Sequence, residues 1–455
     1  MIIGQEYVVK IEKLVNQGFG FARIDNIPIF VIDACPNEVV RIKIVSINSN
    51  YCKAEIISII KPSESRIEPL CQLHNMCGSC NWQFINYDEQ LKQKSKIVYE
   101  TIRSIAGLDL EVLPTIPSPK ITEYRCKIQM PVAQAKKSKR ILSGYYKKNT
   151  HELINIKYCL MHPFIINNLS EYIKQEARVL NLSGYDETSH SGLLRHIVYR
   201  INSDSKNIIV IFVINSDTIP PELRELSEII SKSYPQIDGI CVNFNTEETN
   251  VIMGRKTVCI TGNSYYIETF GTKKYKITAG SFFQVNPLCA EKILNKVKEL
   301  ISERCSSPAI LDAYSGVSTF GIWLSDIAKK VVSVEESKSA SQDARDSLKL
   351  NNIDNIEIIN GDAGKEFANL INNGVKFDVS VIDPPRKGCS VDAIENLVKL
   401  TGKYIVYVSC NPATLARDMK ILQKYSFKPV YVQPVDMFPN TYHIETIVLL
   451  ELNKE

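Results

Sequence analysis

The sequence predicts a multidomain α/β protein whose C-terminal part is a doubly wound, Rossmann-like sheet. Three observations support this fold class. The chain has 455 residues, which is more than one ordinary domain holds. Residues 1–61 alternate apolar and polar positions between short turns, as strands do when one face is buried. From residue 276 onward, apolar strands alternate with helical segments, which is typical of a parallel sheet covered by helices.

Residues 1–61 predict a five-stranded β-barrel of the OB-like type. Runs such as Tyr7-Val-Val-Lys-Ile-Glu and Val39-Val-Arg-Ile-Lys-Ile-Val have the period of two that strands require. Small barrels of this kind commonly bind single-stranded nucleic acid. The segment also carries basic and aromatic side chains suited to backbone contacts and base stacking, namely Arg23, Arg41, Lys43, Phe19 and Phe21.

Residues 62–275 predict a central domain of mostly β-structure. Three clustered cysteines lie near its start, and helical spacing over 87–106 predicts one helix that ends at a glycine. The chain has 13 cysteines, and this odd number argues against a framework of disulfides in a cytosolic protein. We therefore interpret most of the cysteines as small buried residues.

Composition is that of a soluble globular protein, with 44% hydrophobic and 23% charged residues. No run of 18 apolar residues occurs, so the sequence predicts no transmembrane helix. The N-terminus lacks the basic and apolar regions of a signal peptide, so we expect a cytoplasmic protein with no membrane partner. We also expect the protein to be a monomer. The net charge of +4 is compatible with a nucleic-acid partner without requiring one.

The C-terminal region, residues 276–455, carries an acidic residue at the end of each of its first four predicted strands. These residues are Asp312, Glu335, Asp362 and Asp383. Ligands of doubly wound sheets bind at the carboxyl ends of strands. The first turn contains Gly316 but no G-x-G-x-x-G motif, so no cradle for a diphosphate is evident. The pattern therefore favours an adenosine ligand without pyrophosphate, of which S-adenosylmethionine is the common one.

Cys410 is the candidate nucleophile. It lies in Ser409-Cys410-Asn411-Pro412, after the fifth strand and at the start of a predicted helix, whose dipole favours a thiolate. A thiolate that adds to carbon 6 of uracil makes carbon 5 nucleophilic enough to accept a methyl group, and a base must then remove the carbon 5 proton. Glu445 is the candidate base, and His443 is the alternative.

Together these motifs resemble the RNA uridine-5-methyltransferase family, in particular its iron–sulfur-containing 23S rRNA (uracil-5-)-methyltransferases. The resemblance covers the whole chain. The matching motifs are Phe283-Gln284-Val-Asn286-Pro, Asp312-Ala-Tyr314-Ser-Gly316, Asp383-Pro-Pro-Arg-Lys-Gly388, Ser409-Cys410-Asn411-Pro412, His443-Ile-Glu445-Thr, Tyr124-Arg-Cys-Lys and Leu194-Arg195-His196. This chain departs from the family in the first turn, where Ser315 replaces the usual cysteine and Ser318 replaces a glycine.

The resemblance implies roles for individual residues. Cys410 corresponds to the nucleophile and Glu445 to the base. The positions that correspond to contacts with S-adenosylmethionine are Gln284, Tyr314, Thr319, Glu335, Asp362 and Asp383. Residues 1–61 correspond to the family's TRAM domain, an OB-like RNA-binding module, so the implied partner is RNA.

The cysteine cluster resembles the family's iron–sulfur ligands. The implied ligands of a 4Fe–4S cluster are Cys71, Cys77, Cys80 and Cys159. Zinc is the alternative, because four cysteines also bind it tetrahedrally, and spacing alone does not separate the two metals. The spacing of radical S-adenosylmethionine enzymes is absent, so we expect a structural or RNA-positioning cluster.

Two other functions stay open at this point. The same chemistry could act on the T-loop uridine of tRNA, although members of that kind usually lack the TRAM domain and the cluster. The chain could also be a catalytically inactive RNA-binding assembly factor, although the intact Cys410 and Glu445 argue against this. A 23S rRNA substrate is the function that the combined motifs favour.

Overall fold

The computed structural model describes residues 1–148 and 150–453, and its N-terminal region is a curled β-sheet. The strands are β1 (Glu6–Lys10), β2 (Lys13–Leu14), β3 (Gly20–Ile24), β4 (Ile27–Val31), β5 (Val39–Ile47) and β6 (Cys52–Lys61). They pair in the order β1-β5-β6-β4-β3-β2. The predicted alternation is clearest in β5, where every second residue from Val40 to Ile44 is fully buried. The additional strand relative to the predicted five is the two-residue β2.

Helix α1 (Tyr87–Ala106) has the predicted bounds. It begins where Asn86 accepts a hydrogen bond from the backbone N–H of Glu89, and it ends at Gly107, whose φ is 72°. Its apolar face, including Ile97 and Ile102, is buried in the same core as the C-terminal sheet rather than against the central domain. The segment that follows the cysteine loop therefore belongs structurally to the C-terminal region.

The central region is a mixed α/β layer, so the prediction of mostly β-structure over residues 62–275 was incomplete. Its sheet has the order β13-β12-β11-β10-β7-β8-β9. The elements are β7 (Lys127–Gln134), β8 (Ile141–Tyr146), β9 (Leu153–Asn155), α2 (Phe164–Val179), β10 (Leu194–Ile201), β11 (Ile208–Ile214), α3 (Pro221–Ser233), β12 (Ile237–Phe244) and β13 (Lys256–Gly262). The missed helices bury residues at helical spacing, for example Ile166, Leu169 and Ile173 in α2.

The C-terminal region opens with a hairpin, and its strand β15 crosses the predicted domain boundary at 275/276. The elements are β14 (Tyr265–Phe270), β15 (Lys273–Thr278), α4 (Pro287–Ser302), β16 (Ala309–Ala313), α5 (Thr319–Leu324), β17 (Lys330–Glu335), α6 (Lys338–Leu350), β18 (Ile356–Asn360), α7 (Ala363–Asn372), β19 (Phe377–Ile382), α8 (Val391–Leu400), β20 (Thr401–Ser409), α9 (Pro412–Gln423), β21 (Phe427–Val435) and β22 (Glu445–Leu452). Of the helices in the described part of the chain, none combines the length and apolar character needed to cross a membrane.

The C-terminal sheet has the order β18-β17-β16-β19-β20-β22-β21. Its first five strands are parallel, as predicted, but β22 runs antiparallel to both of its neighbours, β20 and β21. The prediction of a wholly parallel sheet was therefore wrong at this edge, and β21 was missed. The physical reason is the short loop of residues 436–444, which is a hairpin connection and leaves no room for the helical crossover that a parallel strand needs.

A buried ion pair joins α1 to this loop. Lys94 Nζ donates hydrogen bonds to Asp436 Oδ1 and to the backbone carbonyl of Phe438, the latter at 3.2 Å. The side chains of Lys94 and Asp436 are both 0% exposed. Burial lowers the pKa of Lys94, and the carboxylate of Asp436 opposes that shift. Removing one partner would leave the other as an uncompensated buried charge.

We predict that Lys94→Met lowers the free energy of unfolding by about 3–5 kcal/mol, because Asp436 would then lie buried without a counterion. Urea denaturation measures the change. The matched control is Lys330→Met, which breaks the exposed pair with Glu357 and should cost less than about 1 kcal/mol. Equal losses in the two variants would contradict this account of the buried pair.

Candidate active site

A cavity of about 690 Å³ lies at the carboxyl ends of the parallel strands. Doubly wound sheets bind ligands at this edge, because the loops that follow the strands open there. All eight residues that the sequence analysis assigned to catalysis or cofactor binding line this one cavity: Gln284, Tyr314, Thr319, Glu335, Asp362, Asp383, Cys410 and Glu445.

The turn after β16 forms the floor of one half of the cavity. Asp312 is 1% exposed and does not line the cavity. Its carboxylate accepts a hydrogen bond from the backbone N–H of Gly321 at 2.9 Å, which fixes the turn. Tyr314 and Gly316 have φ values of 59° and 57°. A Cβ placed on Gly316 would meet no atom within 4 Å, so this position opens onto free space that a ligand can fill.

The two serines that depart from the family turn have different surroundings. Ser318 is fully buried with a φ of 57°, a conformation that favours the glycine implied at this position by the family resemblance. Its hydroxyl lies 2.7 Å from the hydroxyl of Ser333, and this contact offsets part of the backbone strain. The buried hydroxyl of Ser315 has no hydrogen-bond partner among the described residues. Neither serine is one of the candidate catalytic or cofactor-binding residues.

Two carboxylates stand at the rim of the same half. Glu335 accepts the backbone N–H of Gly316 at 2.9 Å and that of Ser337 at 2.7 Å, so its orientation is fixed. Asp362 caps α7 by accepting the backbone N–H of Lys365 at 3.1 Å. Each carboxylate oxygen can accept a second hydrogen bond, so both groups can still receive hydroxyl or amino donors from a ligand.

The other half of the cavity brings Cys410 and Glu445 together. Cys410 follows the last residue of β20, and Glu445 is the first residue of β22. These strands are antiparallel neighbours, and Ser409 is paired with Thr446. Extending this register by one position sets Cys410 opposite Glu445 just beyond the ladder. The thiol and the carboxyl group line the same cavity, and the charge of Glu445 acts on the thiol.

The charges around Cys410 disfavour its thiolate in the empty cavity. Burial, together with the neighbouring Glu445 and Asp383, raises the pKa of the thiol to about 12, and the guanidinium of Arg386 opposes this rise. Cys410 lies directly before the start of the helix, as the sequence predicted, and activation of its thiol by the helix dipole stays a prediction. Helix α9 begins at Pro412, and Asn411 is its cap, so Cys410 precedes the cap.

The carboxyl groups of Glu445 and Asp383 share this environment. Burial raises the pKa of Glu445 well above its ordinary value, the neighbouring Asp383 raises it further, and Arg386 opposes both effects. Burial also raises the pKa of Asp383 to about 7. Gln284 donates from its side-chain amide to Asp383 at 3.3 Å, which joins two of the predicted residues. Asp383 can therefore take up or release a proton near neutral pH, and the raised pKa of Glu445 favours its protonated form in the empty cavity.

Three other side chains line the reacting end, and sequence reasoning gave two of them no role. Arg386 belongs to the motif Asp383-Pro-Pro-Arg-Lys-Gly388 but was given no function, and Phe438 belongs to none of the matching motifs. His443, the alternative base, packs edge-on to Phe438 with ring centroids 5.7 Å apart. Burial lowers the pKa of His443 to about 4, so its imidazole is neutral at neutral pH.

The four candidate cluster cysteines lie in one region of the central domain. Burial raises the pKa of Cys80, and the nearby thiols of Cys77 and Cys71 raise it further. Burial likewise raises the pKa of Cys159 to about 12, with Cys80 among its neighbours. Over residues 1–148 and 150–453, however, no three cysteine, histidine or carboxylate side chains converge closely enough to hold a metal ion. The four thiols thus lie in the same region but do not form a complete set of metal ligands.

The surroundings of these thiols suit an anionic group. Arg125 lies close enough to Cys80 for its positive charge to lower the pKa of that thiol. Its Nε atom is buried and has no hydrogen-bond partner in the described part of the chain. Cys126 is separate from the group, since its thiol donates to the backbone carbonyl of Gln284 at 3.1 Å beside the cavity. The donor chemistry therefore fits a thiolate-bound cluster.

Comparisons with known proteins agree with this geometry. The family model described as tRNA (Uracil-5-)-methyltransferase matches residues 86–453, and the TRAM domain model matches residues 2–57. A Clostridium tetani protein described as an uncharacterized RNA methyltransferase is 36% identical over 447 residues, which cover 98% of this chain and 96% of that protein. A relative from Oceanobacillus iheyensis with the same description is 36% identical over 448 residues, 98% of this chain and 96% of that protein.

A solved structure is also similar over nearly the whole chain. It is the Pyrococcus abyssi tRNA (uracil-54, C5)-methyltransferase in complex with S-adenosyl-L-homocysteine. The TM-score is 0.76 at 26% sequence identity, and the match covers 98% of this chain and 100% of that structure.

We predict that Arg386→Met slows alkylation of Cys410 by iodoacetamide. The guanidinium lowers the pKa of the thiol, so its removal should raise that pKa. If the pKa rises by about one, the fraction of thiolate at neutral pH falls about tenfold. Mass spectrometry of the Cys410 peptide between about pH 7 and 9 measures the rate. Arg386→Lys retains the charge and should react nearly as the wild type does, and Cys305 serves as an internal reference. Faster alkylation in Arg386→Met would contradict the charge assignment.

Proposed function

The chain belongs to the tRNA (uracil-5-)-methyltransferase family, and from this premise we propose that it methylates carbon 5 of a uridine in 23S rRNA, with Cys410 as nucleophile and Glu445 as base. At the coarser level it is an S-adenosylmethionine-dependent RNA uracil-5-methyltransferase. The observation that carries the proposal is that Cys410 and Glu445 line the same cavity as the candidate cofactor residues.

The cofactor half of the cavity suits S-adenosylmethionine, which supplies an electrophilic methyl group when it is bound. We assign Glu335 to the ribose hydroxyls, because a fixed carboxylate can accept hydrogen bonds from both. Open space at Gly316 admits the ligand close to the backbone. The remaining assigned contacts are Gln284, Tyr314, Thr319, Asp362 and Asp383.

The reacting half suits addition and elimination at uracil. The thiol of Cys410 loses its proton, and the sulfur adds to carbon 6 of the base, which pushes the electron pair toward carbon 5 and the carbonyl oxygen. Carbon 5 then takes the methyl group as the bond between that methyl and the sulfonium sulfur breaks, which leaves a neutral thioether. Glu445 accepts the proton from carbon 5, the double bond re-forms, and the bond from sulfur to carbon 6 breaks. The carboxyl group of Glu445 is suited to this step because its pKa is raised, so that its carboxylate is a stronger base.

The acidic surroundings of Cys410 imply that substrate binding assists its deprotonation. In the empty cavity the thiol is protonated at neutral pH. A uracil carbonyl that gains negative charge during addition needs positive charge nearby, and Arg386 is the cation beside both Cys410 and Glu445. We assign Arg386 this electrostatic role.

The N-terminal region offers a surface for RNA. Phe30 lies 6.2 Å from Phe19 and 5.2 Å from Tyr51, measured between ring centroids, so these rings form one half-exposed patch. Lys53 lies over the ring of Phe19, and Arg23 lies over that of Phe21. Aromatic rings bordered by cations are suited to unpaired bases and their phosphates. With the match to the TRAM model, this surface supports a long structured RNA as the substrate.

A second candidate substrate is tRNA. The observation that favours it is the similarity to a tRNA (uracil-54, C5)-methyltransferase along the whole chain, including the N-terminal region. The same cavity chemistry serves either RNA, so the two candidates differ only in the RNA that the outer surfaces bind.

We further propose that Cys71, Cys77, Cys80 and Cys159 hold a 4Fe–4S cluster, with zinc as the alternative metal. Support comes from the four neighbouring thiols and from the buried Nε of Arg125, which has no hydrogen-bond partner among the residues that the structure describes. None of the catalytic steps above passes through this group.

We predict that Cys410→Ala abolishes methyl transfer while RNA still binds, because no thiolate can add to carbon 6. Glu445→Gln still permits addition and methylation but blocks proton removal, so a covalent protein–RNA adduct should persist on denaturing gels. Normal turnover by Glu445→Gln would contradict its role and make His443 the next candidate base. Methylation by Cys410→Ala would contradict the covalent mechanism.

We predict that radiolabelled methyl groups pass from S-adenosylmethionine to unmodified 23S rRNA transcripts, with the protein acting as a monomer. Unmodified tRNA transcripts are the parallel arm, and each transcript with its target uridines replaced by cytidine is the control. Labelling of tRNA alone would assign the second substrate. Labelling of neither RNA, with RNA binding intact, would support an inactive assembly factor and overturn the proposal.

We predict that protein purified without oxygen is brown and contains about four iron and four sulfide per chain, as four thiolate ligands of one cluster imply. Cys80→Ser and Cys159→Ser should each lose the colour, whereas Cys305→Ser should keep it. Stoichiometric zinc without iron would assign the alternative metal.

A further inference from the structure

We propose that Asn440 is a positioning residue that holds the catalytic base Glu445 in place by fastening the β21–β22 loop, residues 436–444, to the segment before and within α1. The proposal rests on the proposed function, since it concerns the proton-removal step. It assigns a role to a residue that lies outside the cavity lining and more than 300 positions from its partners in sequence.

Asn440 is hydrogen-bonded through all of its polar groups. Its backbone carbonyl accepts the backbone N–H groups of both Asn81 and Trp82 at 3.0 Å. Its backbone N–H donates to the side-chain oxygen of Gln90 at 2.9 Å. The side-chain amide donates to the carbonyl of Ile121 at 3.0 Å, and the side-chain oxygen accepts from Gln90 at 3.3 Å.

Gln90 makes this attachment specific. It is 1% exposed, and its amide also donates to the carbonyls of Trp82 and Ile85 at 3.1 and 2.9 Å. A single buried side chain thus ties the turn before α1 to Asn440. Because Gln90 is buried and Asn440 is half-buried, loss of the Asn440 side chain leaves the amide of Gln90 with one hydrogen-bond acceptor fewer. The φ of Asn440 is 65°, a left-handed conformation in which asparagine and glycine are favoured.

The loop that Asn440 anchors leads directly to the reacting end of the cavity. Phe438 and His443 line the cavity from within the loop, and Glu445 follows it as the first residue of β22. The other hydrogen bonds from the loop to distant segments lie on the side that leads into it from β21, whereas Ile444, next to Glu445, is held by burial in the core that it shares with α1. Lys94 binds Asp436 and the carbonyl of Phe438, and Asn286 donates to the carbonyl of Met437 at 3.1 Å. Among these hydrogen bonds, those of Asn440 therefore lie closest along the chain to Glu445.

Cys410 is held by a different set of contacts. Asn411 donates to the carbonyl of Arg386 at 3.1 Å, and Arg417 donates to the carbonyls of Lys387 and Cys389, both at 3.0 Å. These bonds join the start of α9 to the loop after β19 and do not involve residues 436–444. Loss of the Asn440 contacts should therefore displace the base more than the nucleophile, and proton removal should slow more than addition.

The test compares adduct levels among variants. Asn440→Gly retains the left-handed backbone without strain and removes only the side chain. With S-adenosylmethionine and whichever unmodified transcript the wild type methylates, it should accumulate a denaturation-resistant protein–RNA adduct on ordinary uridine. Its kcat should fall about tenfold at unchanged KM for RNA, as about 1.4 kcal/mol on the barrier implies. Gln90→Ala should behave in the same way, and it serves as the second variant if the first fails to bind S-adenosylhomocysteine.

Two controls distinguish positioning from general damage. Asn352→Gly changes the same residue type at an exposed site with a φ of 52° and should behave as the wild type does. Arg417→Met loosens the nucleophile side and should slow adduct formation without accumulation. Adduct levels in Asn440→Gly and Gln90→Ala no higher than in the wild type would overturn the inference. The proposed function fails separately, if wild-type protein is not trapped by 5-fluorouridine RNA.

Discussion

The antiparallel pairing of β20 with β22 is the constraint on which the site depends. Ser409 pairs with Thr446, and one step further along the same register sets Cys410 opposite Glu445. A parallel last strand would deliver its first residue to the opposite edge of the sheet, far from the cavity. The hairpin of residues 436–444 therefore does more than connect two strands, because it brings a carboxyl group to the edge where the parallel strands end.

Burial makes this end of the cavity sensitive to charge. Glu445, Asp383 and Cys410 are three acidic groups near one guanidinium, that of Arg386, and each raised pKa has burial as its first cause. In the empty site, the neutral, protonated forms of these three groups are favoured over their charged forms. An RNA base that enters it replaces water and supplies an acceptor for developing charge, so we infer that the thiol becomes reactive only when substrate is present.

The parts of the molecule that local patterns encode could be predicted, and the long-range parts could not. Strand-end positions identified Glu335, Asp362 and Asp383, because a strand and its final acid are adjacent in sequence. The antiparallel β22 was missed, since a buried strand has the same apolar pattern in either direction. The raised pKa of Cys410 could not be predicted, because it depends on burial and on Glu445 and Asp383, which come from other segments of the chain. The contacts of Asn440 with Gln90 join distant segments and leave no periodic signal.

The central claim is that one uracil is held covalently by Cys410 and methylated before Glu445 removes a proton. Mass spectrometry of the wild-type adduct with 5-fluorouridine RNA, after digestion with nuclease and protease, tests it most directly. The account predicts a Cys410-containing peptide linked to a fluorouridine nucleotide that carries one added methyl group. A nucleotide attached to any other residue, or an adduct at Cys410 that lacks the methyl group in the presence of S-adenosylmethionine, would contradict it.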